Sequence, residues 1–224
     1  GAAVPNVEAR PNPQLIAGVF PPIGEEGCMI FLPEGPEEMP RPDCVYGDLE
    51  AETTVVLAGG SHIEPFIVPL DALGKEHGFK VATFVRQECP LVVGGPEDPA
   101  NEIVSPECAE WGENALQEIL NLAPAMVIST STRPAGHAGG GLVSADYVPD
   151  AYANLWQRLA ELGIPFVGLR DNPWMFNPDG DPMDPNLCIV SGYPEYACSM
   201  AADMVYAPED PAAVFLDGSF AQWS

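Results

Sequence analysis

Two hydrophobic rhythms alternate along this chain. Thr53-Thr54-Val55-Val56-Leu57-Ala58 is a short unbroken run of the kind seen in strands covered on both faces. After the turn Gly59-Gly60-Ser61-His62, the residues Phe66, Ile67, Leu70 and Leu73 fall at helical spacing within Pro65 to His77. Gly78 stands where a helix stop belongs. Phe79 to Val85 reads as the next strand, which completes a βαβ unit. The pattern then repeats. Trp111, Ala115, Leu116, Ile119 and Leu120 share a face of a helix predicted over Cys108 to Leu122, and Ala125 to Thr130 is a third strand. Tyr152, Leu155, Trp156 and Leu159 mark a helix over Val148 to Leu162, with Gly163 after it. Ile164 to Leu169 is a fourth strand, and Val214 to Leu216 is a short fifth. Apolar strands alternating with amphipathic helices predict an α/β fold whose parallel sheet is covered on both faces. Residues 53–224 read as one domain. Residues 1–52 lack helical or strand periodicity and read as an extended Pro-rich lead-in packed on it.

Composition adds loops and staples. The 26 prolines and 22 glycines concentrate before residue 48, at 90–106, at 133–150 and at 172–194, which predicts long ordered loops around a compact centre. Six cysteines are present and none forms a CxxC pair, which argues against a zinc ribbon or a thioredoxin motif. Six cysteines allow 15 pairings. Locality favours Cys28–Cys44, Cys89–Cys108 and Cys188–Cys198. Disulfides place the chain in an oxidising compartment outside the cytoplasm. No apolar run is long enough to span a bilayer. No signal-peptide pattern opens the chain, so export information is expected outside it.

Charge removes one class of partner. With 33 acidic against 8 basic residues the formal net charge is −25, which repels phosphate backbones, so nucleic acid is excluded. The acids are scattered through loops with no EF-hand-like run, and Gly139-Gly140-Gly141 is not followed by the Lys-Ser/Thr of a phosphate loop. Neither a metal nor a cofactor is expected.

Ligands of open parallel sheets sit beyond the carboxyl ends of the strands. The residues there are Gly59-Gly60-Ser61-His62, Arg86-Gln87-Glu88-Cys89, Ser131-Thr132-Arg133-Pro134 and Arg170-Asp171-Asn172-Pro173. Ser61 follows two glycines at a strand-to-helix junction, where a tight turn exposes a hydroxyl beside amides able to face an oxyanion. That suits acyl transfer through a serine ester. A helix N-cap is the plainer role for such a serine.

These blocks occur in one order with Cys89-Pro90, Cys108-Ala109-Glu110-Trp111 and Cys188. The order resembles the SGNH domain fused to the C-terminus of acyltransferase family 3 membrane proteins, in its actinobacterial form. The resemblance spans roughly residues 44–200. It implies a flavodoxin-like, three-layer α/β/α fold with a parallel sheet and long disulfide-stapled loops. It also implies a serine nucleophile, which falls on Ser61. Gly60 stands where the family usually has Asp. The family's oxyanion Asn has no counterpart in Ser131-Thr132-Arg133, which leaves Thr132 or Arg133 as substitute donors. The family's last block, Asp-x-x-His, has no match, so either it lies beyond Ser224 or the triad is incomplete.

Three histidines remain. His62 adjoins Ser61 and reads as lining the site or steadying the turn rather than serving the hydroxyl. His137, in the glycine-rich loop after Arg133, reads as a solvated loop residue or part of a lid over Ser61. His77 reads as a helix C-terminal residue. Asp171, Asn172 and Trp174 follow the fourth strand, and Trp174 either stacks on a sugar ring or anchors its loop. The implied function is transfer of an acyl group, such as acetyl, to a glycan or glycolipid hydroxyl of the cell envelope. The acyl group would come from a fused transmembrane acyltransferase domain. The alternative is a non-catalytic module that binds or positions that acceptor.

Overall fold

The computed structural model describes residues 12, 15, 19–94, 105–133, 145–172, 174–175 and 183–215. The runs predicted as strands form the sheet. β3 (Thr54–Gly59) is flanked by β4 (Lys80–Arg86) and β5 (Met126–Thr130), and β6 (Phe166–Leu169) lies beyond β5. All of these pairings are parallel. Two α-helices supply crossovers between them, α2 (Ile67–His77) after a 3₁₀ turn at Glu64–Phe66 and α4 (Asp150–Glu161). α3 (Pro106–Asn121) precedes β5, with the Ser105 side chain capping it by accepting from Cys108 N. α2 ends on Gly78, whose φ of 76° is the left-handed conformation that a helix C-cap requires.

Alternation along β3 sorts the core into two layers. Val56 and Ala58 face α3 and α4, where Trp111, Leu116, Ile119, Leu155, Trp156 and Leu159 are buried. Val55 and Leu57 face the other way, onto Ile63, Ile67, Ile23 and the Cys28–Cys44 pair. The architecture is the expected three-layer α/β/α sandwich. The three local disulfides are all formed: Cys28–Cys44, Cys89–Cys108 and Cys188–Cys198. Among the described residues no helix is long and apolar enough to cross a membrane.

Two sequence readings are corrected. Strands do occur before residue 53. β1 (Met29–Ile30) joins β4 in parallel, and β2 (Val45–Gly47) joins it antiparallel. α1 (Pro22–Glu25) carries Ile23, which is fully buried in the second core layer. Strands of two and three residues are too short for a period of two to stand out from a Pro-rich background. The expected fifth strand is instead a 3₁₀ turn, Pro211–Phe215. The Asp210 carboxylate accepts from Ala212 N at 2.9 Å and seeds that turn. Phe215 then packs edge-on against Trp156, 5.1 Å between ring centroids.

Candidate active site

A cleft of about 440 Å³ opens at the carboxyl end of the sheet, lined by Gly60, Ser61, His62, Glu88, Pro90, Thr130, Arg133, Tyr152, Asp171 and Trp174. Its floor is made by the ends of β3, β5 and β6. Gly59 closes β3 with φ 145°, a value side chains disfavour, and a Cβ there would stand 3.3 Å from Ser129 Oγ. A Cβ on Gly60 would meet only the Cys89 backbone, at ordinary contact distances of 3.4 Å and beyond. The turn's geometry therefore demands glycine at 59, not at 60.

Ser61 sits in the turn and is not a helix cap. Neither the 3₁₀ segment nor α2 is capped by a side chain. Ile63 N and Glu64 N donate to Gly60 O and Ser61 O. The amides of Ser61 and His62 have no backbone acceptor among the described residues.

His62 makes the central contact. Its Nδ1 lies 2.7 Å from Asp171 Oδ1, between residues 109 apart in sequence. An ionised carboxylate can only accept, so Nδ1 carries the proton and Nε2 keeps a free lone pair. The Trp174 indole N–H comes within 3.4 Å of the same Nδ1, but a protonated Nδ1 cannot accept it. Trp174 thus packs against the imidazole as an edge-on ring, 5.4 Å between centroids.

Asp171 is itself held in place. Its side chain is 5% exposed, and Oδ1 also accepts from Asn172 N at 2.7 Å. Its own N–H donates to Thr132 Oγ1 at 3.0 Å. This corrects one expectation. Thr132 is fully buried and absent from the cleft wall, so it cannot donate to an oxyanion there. It positions Asp171, and its hydroxyl also bonds Asp146. Asn172 is exposed and does not line the cleft, and His137 lies outside the described residues. Gly60, Ser61, His62, Arg133 and Asp171 come together.

The sequence reading put Glu88 just past a strand end, but did not place Pro90, Thr130 or Tyr152 in the site. Glu88 adopts φ 62°, a left-handed backbone rare for a side-chain-bearing residue. Arg86 pairs with Cys89 in an isolated bridge, and Cys89 is tied to Cys108 of α3, so the disulfide fixes this wall. Burial pushes the Tyr152 hydroxyl up, and it stays neutral beside Arg133 and Thr130. Among the described residues no three His, Cys, Asp or Glu side chains group as a metal site.

A part-buried ion pair shares Thr132 with this network. Arg170 Nε and one terminal nitrogen grip Asp146 at 2.7 and 2.8 Å, and Ala207 N donates to the same carboxylate at 2.7 Å. Burial alone would raise the Asp146 pKa. That is the largest single effect, but the Arg170 hydrogen bonds, the Ala207 N–H, Arg170's charge and the Thr132 hydroxyl together outweigh it and hold the carboxyl below its usual value. A carboxyl with a depressed native pKa stabilises the fold above its unfolded value, about 4, and loses that contribution as pH falls through the native value. Asp146→Asn should therefore lower stability at neutral pH and flatten its dependence on pH below about 4. Urea melts of both proteins from pH 7 to pH 2 check this. Parallel curves for variant and wild type would remove Asp146 as the acid-sensitive brace.

A family model described as "SGNH domain (fused to AT3 domains)" matches residues 29–218 of the chain. No curated protein and no solved structure matches it.

Proposed function

The chain belongs to the SGNH domain family, and from that premise we propose that it transfers acyl groups through an ester on Ser61. The observation that carries this reading is the 2.7 Å bond from His62 Nδ1 to buried Asp171, made in the cleft that Ser61 lines. Ser61 Oγ attacks the donor's ester carbonyl and His62 Nε2 takes the hydroxyl proton. The Ser61 and His62 amides face the oxyanion. Collapse expels the leaving alcohol, which takes the proton back from His62, and leaves acyl-Ser61. An acceptor hydroxyl then gives its proton to Nε2, attacks the serine ester and leaves acylated, while Ser61 Oγ departs and takes that proton back from Nε2. In this reading the base is His62 of the turn.

The rest of the reading concerns context. The family description, fused to AT3 domains, supports a membrane acyltransferase domain in the same polypeptide as the acyl source. Three disulfides support an extracytoplasmic setting. Trp174 beside the cleft supports a sugar-bearing acceptor, a glycan or glycolipid of the envelope, because indole faces stack on apolar sugar faces.

The test is covalent trapping. The domain is mixed with 4-nitrophenyl acetate, quenched in acid and weighed intact. We expect one acetyl adduct that peptide mapping places on Ser61 and that is lost in Ser61→Ala. No adduct, with phenolate released no faster than in buffer, would sink the enzymatic reading and leave a module that positions an acceptor.

A further inference from the structure

Among the described residues Arg133 is the only Arg or Lys lining the cleft. It stands just past β5, its backbone fixed by two hydrogen bonds with Tyr147 at 2.8 and 2.9 Å. Its guanidinium carbon lies 5.3 Å from the Trp174 ring centroid and the side chain also meets the Tyr152 hydroxyl. Its Nε is buried without a hydrogen-bond partner. No carboxylate pairs with it among the described residues, although Glu88 and Asp171 line the same cleft. Arg41, Lys75 and Arg170 pair with Asp43, Asp71 and Asp146, and the buried Arg86 gives its terminal nitrogens to Gly35 O and Glu34 O. Arg133 instead lies over the Trp174 indole, bonds the Tyr152 hydroxyl and borders the cleft.

We propose that Arg133 reads a carboxylate on the substrate, remote from the reacting carbonyl, and so selects an anionic acyl group or an acidic sugar acceptor. A guanidinium with one face over an indole keeps N–H edge for a ligand, and such an edge matches a carboxylate bidentately. The net charge of −25 opposes approach of an anion, but that field is screened over about 8 Å at physiological salt. A contact inside a partly desolvated cleft is screened far less, so Arg133 decides. Arg133 is a specificity residue in this reading, not the oxyanion donor, a role the turn amides fill.

The inference rests on the serine-ester reading for its kinetic arms, so a binding arm is kept apart from it. Mono-4-nitrophenyl adipate and 4-nitrophenyl hexanoate differ by a terminal carboxylate in place of a methyl. Methyl glucuronide and methyl glucoside, as acceptors from 4-nitrophenyl acetate, differ likewise. We expect a preference of about tenfold or more for the anionic member of one pair, abolished in Arg133→Gln. The pair that shows it identifies the source of the carboxylate. Equal loss on both members of a pair would make Arg133 an oxyanion donor and overturn the proposal. In Ser61→Ala, saturation-transfer NMR should show adipate or glucuronate binding, lost on adding Arg133→Gln. Binding without acyl-enzyme would spare this inference and sink the serine ester. Anion binding that survives Arg133→Gln, or none at all, would sink this inference whatever the ester chemistry does.

Discussion

Asp171→Asn is expected to lower kcat/KM for ester cleavage by about a thousand- to ten-thousand-fold without unfolding the domain. The exchange is isosteric, so the buried slot beneath His62 stays filled, although Asn172 N shares Oδ1 with His62 and loses its acceptor when an NH₂ stands there. What changes is proton bookkeeping on the imidazole. The Asp171 carboxylate can only accept, which puts the proton on Nδ1 and leaves Nε2 basic. An asparagine that turns its NH₂ toward Nδ1 reverses the tautomer, so Nε2 carries the proton and cannot take one from Ser61. A loss of that size corresponds to about 4–5.5 kcal/mol of transition-state stabilisation, far above the worth of one ordinary hydrogen bond. His62→Ala should cost as much, and the double variant scarcely more, because the pair acts as a unit. Nitrogen chemical shifts of His62 report the tautomer without turnover. Near wild-type rates in Asp171→Asn with an unchanged melting curve would remove the pair from the mechanism and place the base elsewhere.

That pair explains how far the chain could be read without coordinates. The βαβ rhythm was legible because β3 to β6 are four to seven residues long, with helices of eleven to sixteen residues around them. Each strand end could therefore be located, and Ser61, Arg133 and Asp171 were picked out as residues just past one. Their meeting could not be read, because β3 and β6 are joined only through β5, and strand order leaves no mark on local sequence. His62 was read as a turn residue, since neighbours on a chain tend to point apart. A buried carboxylate 109 residues away gives its ring another reason to face the cleft. Tyr152 fits the apolar face of α4, and its burial at 2% agrees, but its hydroxyl reaches the cleft at the end of that face. Glu88 was legible as a residue just past a strand end, but its left-handed backbone was not: that follows from the Arg86–Cys89 bridge and the disulfide, not from residue preference.

The same wall sets the second large effect, in which local preference and packing give opposite signs. Gly112 lies inside α3, where replacement by alanine ordinarily gains about 1 kcal/mol of helix propensity. A Cβ at Gly112 would stand 1.9 Å from Val92 O and 3.0 Å from Val92 C. The obstacle is backbone and cannot rotate away. Val92 is fully buried, between Leu91 and Val93 in the core layer under α3. Its segment is tethered three residues earlier by Cys89, whose partner Cys108 lies on the same helix one turn before Gly112. Neither side can retreat without opening that layer. Overpacking of this kind costs about 3 kcal/mol, so Gly112→Ala is expected to destabilise by roughly 2 kcal/mol or more net of the propensity gain. Gln117→Ala, on the exposed face of the same helix, should stay within about 0.5 kcal/mol of wild type. Because the displaced segment continues from Glu88 and Pro90 in the cleft wall, Gly112→Ala should also slow acyl-enzyme formation, though no atom of it touches the cleft. Urea melts with the disulfides intact measure the first effect, and 4-nitrophenyl acetate turnover well below the melting temperature measures the second. A variant more stable than wild type would mean that helix preference outweighs the Val92 contact. The close approach of α3 to the strand-end loop would then not be what holds the wall in place.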